Sequence, residues 1–130
     1  NLGADTNNSN LKNTYVEVKL WDYDTRHFRK TGLQFCGLIM GDHSKMGINT
    51  MINTGTVVGV GANIFGSDFP RNFIPSFSWG GASGFVEHQM RQFTVTAEAV
   101  MKRRGKVFDD VEKRIIDRVF EDTREFRTFK

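Results

Sequence analysis

With 130 residues, 38% of them hydrophobic and 25% charged, the chain has the size of one ordinary domain and the composition of a globular one. The net charge of +3 is modest, and ten Lys/Arg alternate with eight Asp/Glu over 98–130, which argues for a solvated helical face and against a nucleic-acid stripe. No apolar run is long enough to span a membrane and no signal-peptide pattern opens the sequence; the lone Cys36, read as a buried small hydrophobe, excludes an internal disulfide or a Cys-based metal cage and fits a reducing, cytoplasmic setting.

The chain opens on NLGADT, a six-residue unit with Leu2 as its inward aliphatic and Thr6 as its small residue. A repeat already under way at the first residue is expected of a piece of a longer solenoid. An excursion of about thirty residues follows. In it Val16, Val18 and Leu20 alternate with Glu17, Lys19 and Trp21, the period of a half-exposed strand. The turn chemistry of WDYDTRHF then precedes a second apolar stretch, LQFCGLIM, and the two stretches are expected to form a long β-hairpin over about 8–38. Such a flap either walls an active site or stabilises the fold.

From Met40 the sequence is strictly periodic. Met40, Met46, Ile52, Val58 and Ile64 are aliphatic, and four residues after each stand Ser44, Thr50, Thr56, Ala62 and Asp68, small in all but the last. A helix drifts out of phase with a period of six, and a plain amphipathic strand needs an apolar residue at every second position. The hexapeptide period predicts a parallel β-helix whose flat faces each take one unit. Glycine at or near the second position, as in MGDHSK, MGINTM and VGVGAN, is expected to ease the chain round a corner. Three hexads make a coil, so these units supply about two coils. A stack that short is expected to lean on further coils, a cap or neighbouring subunits.

Beyond Ile64 the register stops. Pro70, Pro75, Phe69, Phe73, Phe77 and Trp79 lie among glycines and serines, either lining a ligand pocket or closing the end of the stack and gluing the next element to it. Two helices are expected after that. Val86, Met90, Phe93, Ala97, Val100 and Met101 form one stripe, with Ser83 as cap and Gly105 as terminator. Phe108, Val111, Ile115, Val119, Phe120 and Phe126 form the other, with Asp109 or Asp110 placing negative charge in the first turn. The short connection predicts an antiparallel helical hairpin. The sequence thus divides into 1–80, a β-helix with a hairpin insertion, and 81–130, a C-terminal helical hairpin.

Little in the chain reads as catalytic machinery. His27, His43 and His88 lack zinc-ligand spacing, and the three-His pattern of the trimeric hexapeptide carbonic anhydrases is absent, so no metal site is expected. His43 falls near the outer surface of its face, as a solvent-exposed side chain or, facing a subunit cleft, a general base. There is no nucleophile elbow, P-loop or dinucleotide fingerprint. Asn1, Asn7, Asn8, Asn10 and Asn13 cluster where the stack opens into the hairpin; they either bind sugar hydroxyls or a phosphate, or satisfy their own backbone.

The opening NLGADTNNSNLKN resembles the C-terminal acetyltransferase domain of the bifunctional enzymes that make UDP-N-acetylglucosamine, where the corresponding coil reads Asn-Ile-Gly-Ala-Gly-Thr and then Cys-Asn-Tyr; Asn1, Gly3, Ala4, Thr6 and Asn10 match. With GLIMGDHSKMGINTMINTGTVVGV and PSFSWGG, it is similar to an alternative branch of that family in Bacteroidetes-type bacteria, over about 1–80. The resemblance implies a mainly β fold, a left-handed parallel β-helix with a hairpin excursion and a C-terminal α-helical hairpin, assembled as a homotrimer. It implies acetyl transfer from acetyl-CoA to the amine of glucosamine-1-phosphate, with Asn1 and Asn10 binding the sugar phosphate, and Ala4, Ile48 and Gly66 lining the acetyl-CoA groove. The family's catalytic His falls upstream of Asn1, so no catalytic residue is assigned within the chain. A nucleotidyltransferase domain, with its Mg2+, is likewise expected upstream. Leu11 replaces the Tyr that follows the sugar-binding Asn, removing a hydroxyl from the site. The alternatives are a non-catalytic trimerisation domain of a sugar-1-phosphate nucleotidyltransferase, an acyltransferase for another nucleotide sugar or sugar phosphate, and a metal-dependent hydratase. Neither nucleic acid nor a membrane is an expected partner.

Overall fold

A computed structural model describes residues 1–129. The chain forms small sheets followed by two helices. Its strands are β1 (Asn7–Asn8), β2 (Lys19–Asp22), β3 (His27–Lys30), β4 (Leu38–Met40), β5 (Lys45–Met46), β6 (Met51–Ile52), β7 (Thr56–Val58), β8 (Asn63–Ile64), β9 (Phe73–Ile74), β10 (Ser78–Gly81) and β11 (Gly84–Glu87). The helices are α1 (Met90–Arg103) and α2 (Asp110–Asp122), and a 3-10 turn, Arg124–Phe126, follows.

The hexad register sets the pairing. Met46 lies beside Ile64 and Met40 beside Val58 in parallel strands whose partners are 18 residues, three hexads, apart. Leu2 bridges to Met46 and Asn8 pairs with Ile52, also in parallel, across the hairpin excursion. Ile74 extends the Val58 stack and Gly80 the Ile64 stack. Three stacks of short parallel strands result, and Met46, Ile52, Val58, Ala62, Ile64 and Ile74 meet in one buried cluster.

The small residues turn inward with the aliphatics: Ser44, Thr50, Thr56 and Ala62 are buried. Their hydroxyls answer the carbonyls the corners would otherwise strand. Thr6, Thr50, Thr56 and Ser78 each donate to the carbonyl three residues back, at 2.6–2.8 Å. The residue before each small one, Asp5, His43, Asn49, Gly55, Gly61 and Phe77, has positive φ, so the bend falls there. The expectation for glycine is therefore corrected. Gly41 and Gly59, which follow inward aliphatics, have no left-handed φ; a Cβ on Gly41 would meet the backbone of Gly59 at 2.7 Å, and one on Gly59 the Ser76 nitrogen at 2.4 Å. Glycine is needed there because neighbouring chains approach closely, not because the chain turns.

Two further expectations change. The second arm of the hairpin is HFRK, not LQFCGLIM: β2 pairs antiparallel with β3, while Leu38 and Met40 leave the excursion to pack on the core. The turn is closed early because Arg26 donates its backbone N–H to Asp22 O and the Asp22 carboxylate takes Asp24 N, Thr25 and Arg29. Likewise Val86 is a strand residue paired with Trp79, and Ser83 sits in the two-residue turn joining β10 to β11 rather than capping α1, whose N-cap is Gln89. Two aromatic or β-branched residues, Phe85 and Val86, favour the strand there. Asp109 does cap α2, accepting from Val111 N and Glu112 N at 3.0 Å.

A second core joins the helices to the sheets. Phe77 packs with Phe93 and Ala97 of α1, with Phe108, and with Ile116 of α2. The described end of the chain locks onto it: the Arg127 guanidinium, 2% exposed, lies over Phe120 at 4.1 Å and donates to Phe120 O, Thr123 and Glu87. Of the aromatics after Ile64, Phe77 is glue and Phe69 is exposed.

Candidate functional site

The outer face of the Leu2–Met46–Ile64 stack has two edges. Two residues beyond each inward aliphatic the register aligns Ala4, Ile48 and Gly66 in one column; Asn49 N donates to Ala4 O at 2.9 Å, and Gly3 N and Gly47 N to Met46 O and Ile64 O. Ile48 is 71% exposed in the middle of this column. The edge offers backbone and one protruding apolar side chain, a surface suited to a thin, flexible ligand.

One residue before each inward aliphatic, the other edge aligns Asn1, Lys45, Asn63 and Trp79. α1 runs beside it, and two hollows that share Lys45 lie between the helix and the edge. The first, about 260 Å³, lies between Trp79, His88 and His43 on one side and Phe93 and Thr96 on the other. The second, about 580 Å³, lies between Asn1 and Lys45 and the end of α1 at Arg103 and Arg104. Lys45 borders both. Its half-buried position holds its ammonium pKa below the usual lysine value. The ring centroids of Trp79 and His88 are 4.9 Å apart, and those of His43 and Phe93 5.6 Å. His43 is half-buried rather than solvent-exposed, and Cys36 is likewise only half-buried.

The structure sets Ala4 beside Ile48 through the Asn49 N to Ala4 O bond, has Gly66 two residues beyond the last paired residue, Ile64, and places Asn1 at the opposite edge of the same face. Asn10 lies apart from both, beyond the Asn8–Ile52 stack, where its carbonyl takes Cys36 N at 3.0 Å at the neck of the excursion. Asn7 and Asn8 turn their amides onto Asp5 O and Ile52 O, so these two serve the backbone. Lys45, Trp79, His88 and Arg103 were not singled out as site residues in the sequence. The signal for the first two is the position one before the inward residue, followed from coil to coil.

The hairpin packs away from both edges. Trp21 stacks on Phe73 at 4.2 Å, Tyr23 and Phe126 add edge contacts, and Arg26 pairs with Glu125 at 2.9 Å. The excursion is thus tied to the 3-10 turn near the end of the chain. Among the described residues, no three His, Cys, Asp or Glu side chains are grouped as for a metal ion, and no helix is long and apolar enough to cross a membrane. Neither a family model nor a curated protein matches the chain.

Proposed function

We propose that the parallel stacks are coils of a left-handed parallel β-helix and that the chain is the acyltransferase portion of a sugar-nucleotide biosynthesis enzyme. It takes part in moving acetyl from acetyl-CoA to the amine of glucosamine-1-phosphate, as a cytoplasmic homotrimer fused to a nucleotidyltransferase. In this reading the neutral amine attacks the thioester carbonyl; a C–N bond forms, the C–S bond breaks, the amine proton passes to a base outside these residues, and the thiol leaves. The observation that supports the reading is that Ala4 and Ile48 lie side by side on one edge, with Gly66 at the same register position of the next coil, a backbone-lined strip that suits a pantetheine arm. Exposed Leu33, Phe35 and Ile39 near the base of the excursion supply apolar surface for subunit contact.

The test is sugar-dependent thiol release by the full-length protein with acetyl-CoA and glucosamine-1-phosphate. Ile48→Arg, a change at an exposed position, should raise the KM for acetyl-CoA at least about tenfold with the fold intact. An unchanged KM would remove the column from the site. A second reading, a non-catalytic trimerising domain, is favoured by the separation of Asn1 from Asn10 and by Leu11 in place of a hydroxyl-bearing residue. It expects intact uridylyl transfer and no thiol release.

A further inference from the structure

The β2–β3 hairpin walls a hollow of about 490 Å³ whose other sides are the segment entering β9 and the 3-10 turn. It shares no residue with the two hollows beside α1. Its floor is aromatic. Trp21 lies flat on Phe73, with ring centroids 4.2 Å and planes 10° apart; Phe73 is only 5% exposed, so it backs the indole and offers no surface of its own. Trp21 and Phe126 are partly exposed, and Phe28, 42% exposed, stands edge-on to the indole at 5.4 Å. These three present the apolar surface, in a hollow that falls within the size range of small-molecule sites, about 300–1,000 Å³.

Two polar groups of this wall lack partners. Trp21 Nε1 is buried and, among the described residues, donates to nothing. An indole nitrogen is a donor only, and a buried one normally finds an acceptor because leaving it unpaired is costly. Around it stand Phe28, Phe73 and Phe126, whose rings offer at best a weak N–H to π contact that an oxygen acceptor outcompetes. Independently, Arg71 lines the hollow, is exposed, and among the described residues has no carboxylate within ion-pair distance. Its neighbour Asn72 pins that segment by donating from Nδ2 to Thr54 O at 2.8 Å. The other charges on the wall, Arg26 and Glu125, neutralise each other at 2.9 Å between the hairpin turn and the 3-10 turn. Their side chains are 62% and 49% exposed, and a surface pair of this kind opens at little cost.

We propose that this hollow binds an aromatic carboxylate. Its ring lies among Trp21, Phe28 and Phe126, its carboxylate rests on Arg71, and one oxygen accepts from Trp21 Nε1 once the Arg26–Glu125 pair and the exposed Phe28 ring have shifted. The site is independent of the acetyl-transfer reading. The probe is 2-naphthoate, titrated by calorimetry into the 130-residue chain and followed on the indole nitrogen resonances, which Trp79→Phe assigns by leaving Trp21 as the only tryptophan. Saturable binding is expected, with the Trp21 nitrogen moving downfield as it gains an acceptor and the Trp79 nitrogen unmoved. The neutral 2-naphthamide should bind at least about tenfold more weakly, as should 2-naphthoate to the exposed-site variant Arg71→Ser. Glu125→Gln removes both the ion pair and a like charge, so it should bind 2-naphthoate no more weakly than the parent. The proposal is overturned by absence of saturable binding, by 2-naphthamide binding as tightly as 2-naphthoate, by full affinity in Arg71→Ser, by a Trp21 nitrogen unmoved at saturation, or by weaker binding to Glu125→Gln.

Discussion

Gly59→Ala isolates the role of close approach between stacked chains. The added Cβ would stand 2.4 Å from both the nitrogen and the Oγ of Ser76 and 2.7 Å from its Cα, far inside van der Waals contact. Strands in a ladder sit about 4.8 Å apart, so relief requires the pair to part by about 1 Å. That movement stretches the bond from Gly59 N to Ile74 O, now 2.9 Å, which runs beside the Val58–Ile74 pair. Overpacking of about 1–3 kcal/mol and a weakened backbone hydrogen bond of about 1 kcal/mol give a loss of about 3 kcal/mol. For a chain of this length that lowers Tm by about 10 °C. Gly47→Ala is the control, because it follows Met46 as Gly59 follows Val58. Its Cβ would meet the Phe65 Cβ at 3.3 Å, and Phe65 is partly exposed and free to give way. Reduced chain entropy in the unfolded state offsets that contact, leaving Gly47→Ala within about 1 kcal/mol of the parent. Thermal and urea unfolding followed by circular dichroism measures both. Adding Ser76→Ala to Gly59→Ala should rescue little, since the Ser76 nitrogen is as close as its hydroxyl. Equal melting of the two single variants would refute the argument.

Three other perturbations test separate parts of the fold. Phe77 is fully buried with φ of 56°, so Phe77→Ala and Phe77→Gly both lose the ring, at about 3–5 kcal/mol, but glycine also relieves the left-handed backbone. The glycine variant should therefore be the more stable by about 1 kcal/mol in urea titrations, and the reverse order would mean that no strain is held there. Arg127→Lys keeps the charge but loses the fork that reaches Phe120 O, Thr123 and Glu87, costing about 2 kcal/mol; a neutral result by calorimetry would show that the network does not hold the end of the chain. The Arg29 hydrogen bond, with smaller help from Asp24 N and Thr25, holds the Asp22 carboxyl below its ordinary 3.8. A depressed folded pKa stabilises the hairpin above that value and ceases to do so as pH falls through the folded pKa, so hairpin amide shifts should move below about pH 3.8 in the parent and stay flat in Asp22→Asn.

The inward register was legible because each hexad fixes which side chain faces the core whatever surrounds it. Met46, Ile52, Val58 and Ile64 are buried, as are Ser44, Thr50, Thr56 and Ala62, whereas Leu2 at the first coil is 54% exposed and Asp68, four places after Ile64, is exposed where the register stops. The corner residues were missed, because the glycine after each inward aliphatic was taken for the turning residue; the positive φ falls instead on Asn49, Gly55 and Gly61, and on His43 and Phe77 against their own preference. Val86 misled because apolar spacing alone does not separate the end of a strand from the start of a helix; the Ala82–Ser83 turn decides it by pairing Val86 with Trp79. The hollows beside α1 were invisible for a different reason. Their residues come from the stack, from β10, from the segment before α1 and from the far end of α1, and only the docking of that helix makes them neighbours.

What docks α1 is a column of corners rather than a face. The register sets His43, Gly61 and Phe77 one above another, each just before an inward small residue. A Cβ on Gly61 would lie 2.8 Å from the Phe77 ring and 2.9 Å from the Phe93 ring, so the aromatic pair occupies the space that a side chain at this corner would take. Gly61 O meanwhile holds His88 Nδ1, and Gly61 N donates to Asp42 O. One residue therefore supplies a left-handed turn, a gap for two phenyl rings and the anchor that orients the imidazole. The positive φ at Phe77 places its ring on the outside of the corner, where Phe93 and Ala97 bury it, instead of inside with Ile64 and Ile74. The helix is held along one face by Met90, Phe93, Ala97 and Met101, and Arg103 and Arg104 at its end line a hollow with Lys45 and Asn1. The stack alone supplies the Ala4–Ile48–Gly66 edge, whereas the hollows at the opposite edge form only once α1 is seated, so loss of the Phe77–Phe93 contact would remove them and spare the column.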